Sequence, residues 1–390
     1  MRINFIDNSI NSNSNSNNRF QNIRSVSTPS FGARVNNDIF QKTVNSMGTH
    51  FEKGLEKYLT KDFHGDLLMH GLCGDSVYHE THLAKIKEIH KALSSEHIAQ
   101  IHLTQDNWGN LPMHKATADQ TIEIHRALKY QPKVIARIHL TKGLYGDLPI
   151  HYADLEKTKE IHRVLENQPK VLAQIHLTKD KYNKLPMHSA GALTMAEIHR
   201  VLENQPEIIA RIHLTRGEYN QLPMHYSDIC CMEKIHRALK NQPEVLAQIH
   251  LTQDAQGNLP IHLADIEQTE EIHKVLENQP EVIAQMHLTK NKRGELPIDC
   301  HLDYHYYDDT EMSNEIYRAI TNAALNSNLD TDTSIKLLET YNKAGRYDEA
   351  IQELKLAAAK NVHQNTREGI WGGFLKSLRR WFDDLAHSTH

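Results

Sequence analysis

The segment His-Leu-Thr begins at His102, His139, His176, His213, His250 and His287, each 37 residues after the last. In the same frame Leu-Pro-Met-His or Leu-Pro-Ile-His ends at His114, His151, His188, His225 and His262, and segments like Glu-Ile-His-Arg place His125, His162, His199, His236 and His273. A period that holds without a slip means that one module is used again and again, and such modules bury their apolar faces by stacking on their neighbours. Two flanking units repeat the landmarks less faithfully. Before the array stand His70 and His90; after it Asp299 and Tyr317 occupy the places of histidines. Terminal units have only one neighbour and diverge for that reason, so the count is seven, five regular and two capping.

Within residues 148–180, Pro149 suits the first turn of a helix A. Glu160, Ile161, Val164 and Leu165 then form the stripe of an amphipathic helix B. Pro169 ends or restarts that helix, and Val171, Leu172 and Ile175 make a short third helical stretch. The linking loops carry Gly, Asn and Asp, as turns do. The expected fold class is all-α, a solenoid of about seven repeats with a helical C-terminal cap. The expected domains begin with a disordered Asn/Ser-rich tail over 1–37, N-terminal helices and an atypical capping repeat over 38–102, and five regular repeats over 103–287. A capping repeat at 288–323, a helical hairpin at 324–362 turning at Gly345, and an amphipathic helix and tail at 363–390 complete the chain.

The segments 111–116, 148–153, 185–190, 222–227 and 259–264 resemble the ankyrin motif Thr-Pro-Leu-His-x-Ala, and Glu160 and Ile161 follow His151 at the spacing of the second ankyrin helix. The resemblance covers roughly residues 60–323. It departs from the family in having leucine in place of threonine, which removes the helix-capping hydroxyl, and in its longer period. It implies a curved stack that binds protein partners through finger loops and a concave face, without catalysis. Ankyrin-like arrays rich in Asn, Lys and Ile also resemble effectors that intracellular bacteria deliver into host cells, which would make a host protein the partner.

A net charge of -5 offers no basic field for a nucleic-acid backbone. Cys73, Cys230, Cys231 and Cys300 show no metal-site spacing and are too few to staple the chain, which fits a reducing compartment. No apolar run approaches membrane-spanning length, and the Asn/Ser-rich start lacks the core of a signal peptide. The expected location is cytoplasmic, or a host cell reached by a route without a cleaved leader. Of the 28 histidines, 18 sit at the three repeated positions. Metal ligation and pH sensing are the functional readings. Packing ladders are the structural one, and it is favoured because equivalent positions on stacked helices lie about 8–10 Å apart, too far to share one ion. No metal or other cofactor is expected. Histidines buried neutral should nevertheless weaken the fold in mild acid.

Positions that vary between repeats are those that stacking leaves free. One row is Trp108, Tyr145, Tyr182 and Tyr219, in the loop before each Leu-Pro-x-His; it stops at Gln256 and Arg293. A second row comes directly after the motif histidine: Lys115, Tyr152, Ser189, Tyr226 and Leu263. Exposed aromatics are favoured interface anchors, although each ring could instead cover its neighbour's loop. In the last segment Trp371, Phe374, Leu378, Trp381 and Phe382 share one helical face, suited to docking on the array itself, on a partner or on a membrane surface through 370–385. The expected function is thus a non-enzymatic scaffold for a protein partner, with no small-molecule substrate. The alternatives are a membrane-recruited adaptor and a metal-dependent enzyme using His301, Asp303, His305, Asp308 and Asp309 within 299–309. Against an enzyme stands the lack of a phosphate loop, a Gly-x-Ser-x-Gly or a His-Glu-x-x-His.

Overall fold

The computed structural model describes residues 52–74, 77–302 and 309–361, and among them all regular structure is helical. None of these helices is long and apolar enough to cross a membrane. The expected N-terminal tail and the 363–390 segment lie outside the described residues. The chain divides into two compact units, 1–57 and 58–390. In the first, only the start of helix α1 (Glu52–Leu59) is described; the second holds the whole repeat array.

The row opens with α2 (Leu68–Leu72), α3 (His79–Ala92), α4 (Ser95–Leu103) and the single turn α5 (Pro112–Lys115). Five helix pairs come next: α6 (Ala118–Ala127) with α7 (Pro132–Leu140), α8 (Leu155–Leu165) with α9 (Pro169–Leu177), α10 (Ala192–Val201) with α11 (Pro206–His213), α12 (Ile229–Leu239) with α13 (Pro243–His250), and α14 (Ile266–Val275) with α15 (Pro280–Leu288). It closes with α16 (Pro297–Leu302), α17 (Asp309–Leu325), α18 (Thr331–Thr340) and α19 (Asp348–Asn361).

Local chemistry sets these boundaries. The first helix of a pair is capped by Thr117, Asp154, Asp228 or Asp265, whose side-chain oxygen accepts the N–H three residues on. The second starts at a proline in the first turn, where the missing N–H is not needed. It ends where the threonine of His-Leu-Thr turns back, Thr141 and Thr178 each donating to the carbonyl four residues earlier at 2.8 Å, which satisfies an orphan helix-end acceptor. Each first helix packs on the first helix of the next unit along the row α3, α6, α8, α10, α12, α14, α17. Between the two layers Ile124, Leu128, Ile138, Ile161, Leu165 and Ile175 are completely buried.

Helix A is not a full helix. The Leu-Pro-x-His segment makes one turn, helical at Pro112–Lys115, 3-10 at Pro186–Ser189, Pro223–Tyr226 and Pro260–His262, and a plain turn at 149–152. The cap of the next helix comes so soon after it that there is room for no more. At Leu111 and Leu185 no side chain takes the place of the missing hydroxyl; a different donor is met instead, the Nδ1 of His114, His151 and His188 accepting the N–H of the leucine three residues before at 2.9–3.0 Å. In the last unit the Asp299 carboxylate takes the Leu296 N–H in the same way, at 3.0 Å. The hairpin α18–α19 turns through Gly345 at φ +71°, where an added Cβ would meet the Asp348 carboxylate at 2.8 Å. It buries Tyr341 and Tyr347 against Tyr317, so aromatic rings end the row where histidines would otherwise stand.

Candidate interaction surface

The loop between one pair of helices and the next turn needs a left-handed residue at its tip, and Gly109, Gly146, Asn183, Asn220, Gly257 and Gly294 supply it at φ between +59° and +84°. Neighbouring loops are tied side chain to backbone: Gln105 donates to the Lys142 carbonyl, Lys142 to Lys179, Lys179 to Arg216, Arg216 to Gln253 and Gln253 to Lys290, at 2.7–3.3 Å. Backbone bonds add to these at several tips, as from Lys181 N–H to the Tyr145 carbonyl at 2.7 Å and from Ala255 N–H to the Tyr219 carbonyl at 2.8 Å. Long loops held this way form one ordered edge.

On that edge the aromatic row stays exposed: Trp108 44%, Tyr145 43%, Tyr182 43% and Tyr219 61%. The covering role holds in part. Lys181 places its ammonium 3.7 Å from the Tyr145 ring and 4.8 Å from that of Tyr182, and Trp108 stacks on His64. Tyr219 itself has φ +55°, beside Asn220 at +59°. A bulky residue in this region stores roughly 1–3 kcal/mol of strain, a cost that tends to mark function. The second row lies alongside. Tyr152 is within electrostatic range of Tyr182 and Lys184, and Tyr226 of Tyr219, Glu218 and Lys184; both are largely exposed, as are Lys115 and Leu263, while Ser189 is exposed too. Trp371, Phe374, Leu378, Trp381 and Phe382 lie outside the described residues.

Beneath this edge the other two sets of histidines pair. Within each unit their Nε2 atoms meet at 2.8–3.0 Å: His90 with His102, His125 with His139, His162 with His176, His199 with His213, His236 with His250, and His273 with His287. The Nδ1 of the first member bonds to a glutamate of the following unit, His125 to Glu160 at 2.8 Å and His162 to Glu197 at 2.9 Å. His90 bonds likewise to Glu123, His236 to Glu271 and His273 to Glu315. Arg163 and Arg200 then hold those glutamates from the surface at 2.7 Å. An ionised glutamate fixes the proton on that Nδ1, so the second histidine must donate from Nε2 and keeps a bare Nδ1. At the second positions of the first five pairs that atom is buried and unpartnered.

The electrostatics reflect this arrangement. Burial holds His102, His139, His176, His213 and His250 well below the ordinary imidazole range. It also lowers His125 and His162, against which their glutamates pull back. Burial would raise Glu160, but the bonds from His125 and Arg163 win and bring it to about 2. His199 has Lys234 where the glutamate should be, and burial alone takes it to about 4. Sequence reasoning foresaw a ladder but missed this relay; the available signal was a glutamate 35 residues after His125, His162 and His236, with Lys234 in that place for His199.

One group of possible metal ligands is drawn together among the described residues: Asp66, His70 and Asp106. It does not fit a metal. His70 accepts the Leu67 N–H at Nδ1, so its proton is on Nε2 and is donated to the Asn110 carbonyl at 3.1 Å, leaving no lone pair for an ion. Of the 299–309 cluster, residues 303–308 lie outside the described residues. Compared with models of protein families and with curated proteins, the sequence matches none.

Proposed function

We propose that the chain is an ankyrin-like α-solenoid that works as a non-enzymatic scaffold and binds a protein partner through its loop edge and the concave face beside it. The observation that carries this reading is the aromatic row Trp108, Tyr145, Tyr182 and Tyr219, exposed on loops tied into register, with Tyr219 in a strained backbone. Rigid aromatics lose little entropy on binding and anchor interfaces at more than about 1 kcal/mol each. Tyr152 and Tyr226 widen the same surface. The paired histidines, which could serve as acids or bases, are buried at 8% exposure or less, where no substrate touches them; this favours a scaffold over an enzyme. A partner in a host cell is the delivery-linked form of the proposal.

The test compares capture from a host-cell extract by the full chain and by a variant with Tyr145, Tyr182 and Tyr219 changed to alanine. A specific protein retained by the first and lost at least tenfold by the second, with the melting curve unchanged, supports the reading. Equal recovery of the same proteins by both refutes it.

A further inference from the structure

At one repeated position, in the first turn of each first helix, stand Gln120, Lys157, Thr194, Cys231 and Gln268. The long members reach back into the preceding unit. Gln120 Nε2 donates to the Leu72 and Gly74 carbonyls at 3.2 and 3.3 Å, and Gln268 Nε2 to that of Ser227 at 2.8 Å. Lys157, only 5% exposed, donates from Nζ to the carbonyls of Met113 at 3.0 Å and Ala116 at 2.7 Å. The turn that carries Leu-Pro-x-His thus presents a pair of backbone acceptors, and an ammonium seats on it without a bonded carboxylate.

One unit later the corresponding turn is a plain one, in which the Ile150 carbonyl already accepts the Ala153 N–H at 3.2 Å and keeps one lone pair, and it stands before Thr194, whose side chain is too short to cross. A cavity of about 280 Å³ opens there, lined among others by Ile150, Tyr152, Ala153, Asp154, Thr158 and Thr194. Ile150 and Ala153 hold the places of Met113 and Ala116 in the repeat. The Thr158 hydroxyl, fully buried, has no hydrogen-bond partner. Tyr152 stands at the wall 66% exposed, and the carboxylates of Asp147 and Asp180 lie within electrostatic range of it.

We infer that this cavity binds a primary ammonium, the side chain of a lysine on the protein partner, seating it on the carbonyls of Ile150 and Ala153 as Lys157 is seated on those of Met113 and Ala116. The inference rests on the scaffold reading and names the chemistry the partner must present. Tyr152 supplies a ring for the lysine methylenes and cation, and Asp154, which lines the cavity, supplies the counter-charge, while near Tyr152 the charges of Asp147 and Asp180 are offset in part by Lys184. The start of helix α10 acts in the opposite sense: it lies beside the cavity without a side-chain cap at Gly191, and helix starts favour anions. Lys157 meets the same dipole in the first turn of α8, and burial brings its ammonium pKa down to about 8, which still leaves it charged at neutral pH on the carbonyl pair.

The test uses methyl NMR of the full chain titrated with Nα-acetyl-lysine methylamide, its norleucine counterpart, and inorganic phosphate. Saturable shifts at Ile150, Ala153, Ala190 and Ile198 with the lysine probe, at least tenfold weaker with norleucine, are expected. Thr194→Lys should abolish them by filling the site from within, and Thr194→Leu should do the same without charge; unchanged methyl signals from distant repeats report that either variant is folded. No shift with lysine, an equal response to norleucine, or a response to phosphate alone overturns the inference. So does a partner whose capture needs the tyrosine row but is indifferent to Thr194→Lys, which leaves the scaffold reading standing. Lysine-probe shifts in a chain whose capture ignores the tyrosines would instead remove that reading and keep the site.

Discussion

Lowering the pH from 7.5 to 5.5 should destabilise the protein steeply, because its histidines are folded in the neutral form. Among the described residues fifteen have been pushed below the ordinary imidazole range, in each case by burial first. His188 and His199 are the two brought to about 4. For such a group the unfolded chain takes up a proton as the pH falls through 6.5 while the folded chain does not, so stability is intact above that point and drains away down to about 4. At pH 5.5 the unfolded form is about ten-elevenths protonated and the folded form about one-thirtieth, a difference of about 1.4 kcal/mol per group. The two groups together cost about 3 kcal/mol, against a total of about 5–15 for a typical domain, and the remaining thirteen act in the same direction. The paired carboxylates do not interfere in this window, since the stabilisation from Glu160 is lost only as the pH falls from 4.5 toward about 2. Melting followed by circular dichroism should therefore give a Tm that is level above pH 7 and lower by about 6 °C or more at pH 5.5. A Tm level to within a degree across that span would mean that these histidines are solvated or already protonated in the folded chain, and would refute the relay as described.

The interrupted interface gives a second expectation. Lys234→Glu places a carboxylate opposite His199 as Glu197 stands opposite His162, and should raise the His199 pKa above about 4 and add about 1 kcal/mol, read by histidine NMR titration and by urea denaturation. Gly191 caps α10 with no side chain, and a Cβ added there has nothing within 4 Å, so Gly191→Asp should also add about 1 kcal/mol in the same denaturation assay. A loss of stability from Gly191→Asp would show that α10 does not begin where described.

Much of the array was legible because stacking imposes one requirement on every unit. Pro169 marked an end or a restart, which in the structure is a helix start, as at 132, 206, 243 and 280, and Ile161, Leu165, Leu172 and Ile175 were recognisable as core by their spacing. The short first turn was not, because Pro149 fits the start of a helix of any length and only the cap of the next helix at Asp154 limits it. Nor was the histidine pairing. It joins residues 14 apart in a unit, 12 in the first, and passes to a glutamate in the next, so it depends on the angle between two helices and on the register between two units. Neither is written in any one stretch of chain. The candidate surface was partly legible, since Trp108, Tyr145, Tyr182 and Tyr219 announced themselves by their spacing. The cavity beside Thr194 did not, because it is made by what Thr194 lacks and Lys157 has.

The departures from the repeat are not scattered. Gly191 leaves α10, the first helix in the unit of His188, without a side-chain cap; Thr194 fails to cross to the unit before it; and His199 finds Lys234 instead of a glutamate in the unit after it. In a stack whose stability is a sum of unit and interface terms, a missing cap and two interfaces without these bonds weaken the row around this unit, and the equally short Cys231 extends the weakness into the next. The unit of His188 is flanked by Tyr182 on one side and the strained Tyr219 on the other, and its cavity wall carries Tyr152. Stacking alone would disfavour Gly191 and Lys234 at their positions, since the neighbouring repeats carry a capping Asp there in the one case and a bonded glutamate in the other. Their coincidence beside the exposed aromatics is accounted for if this unit is shaped by what it binds, at the expense of how firmly it stacks.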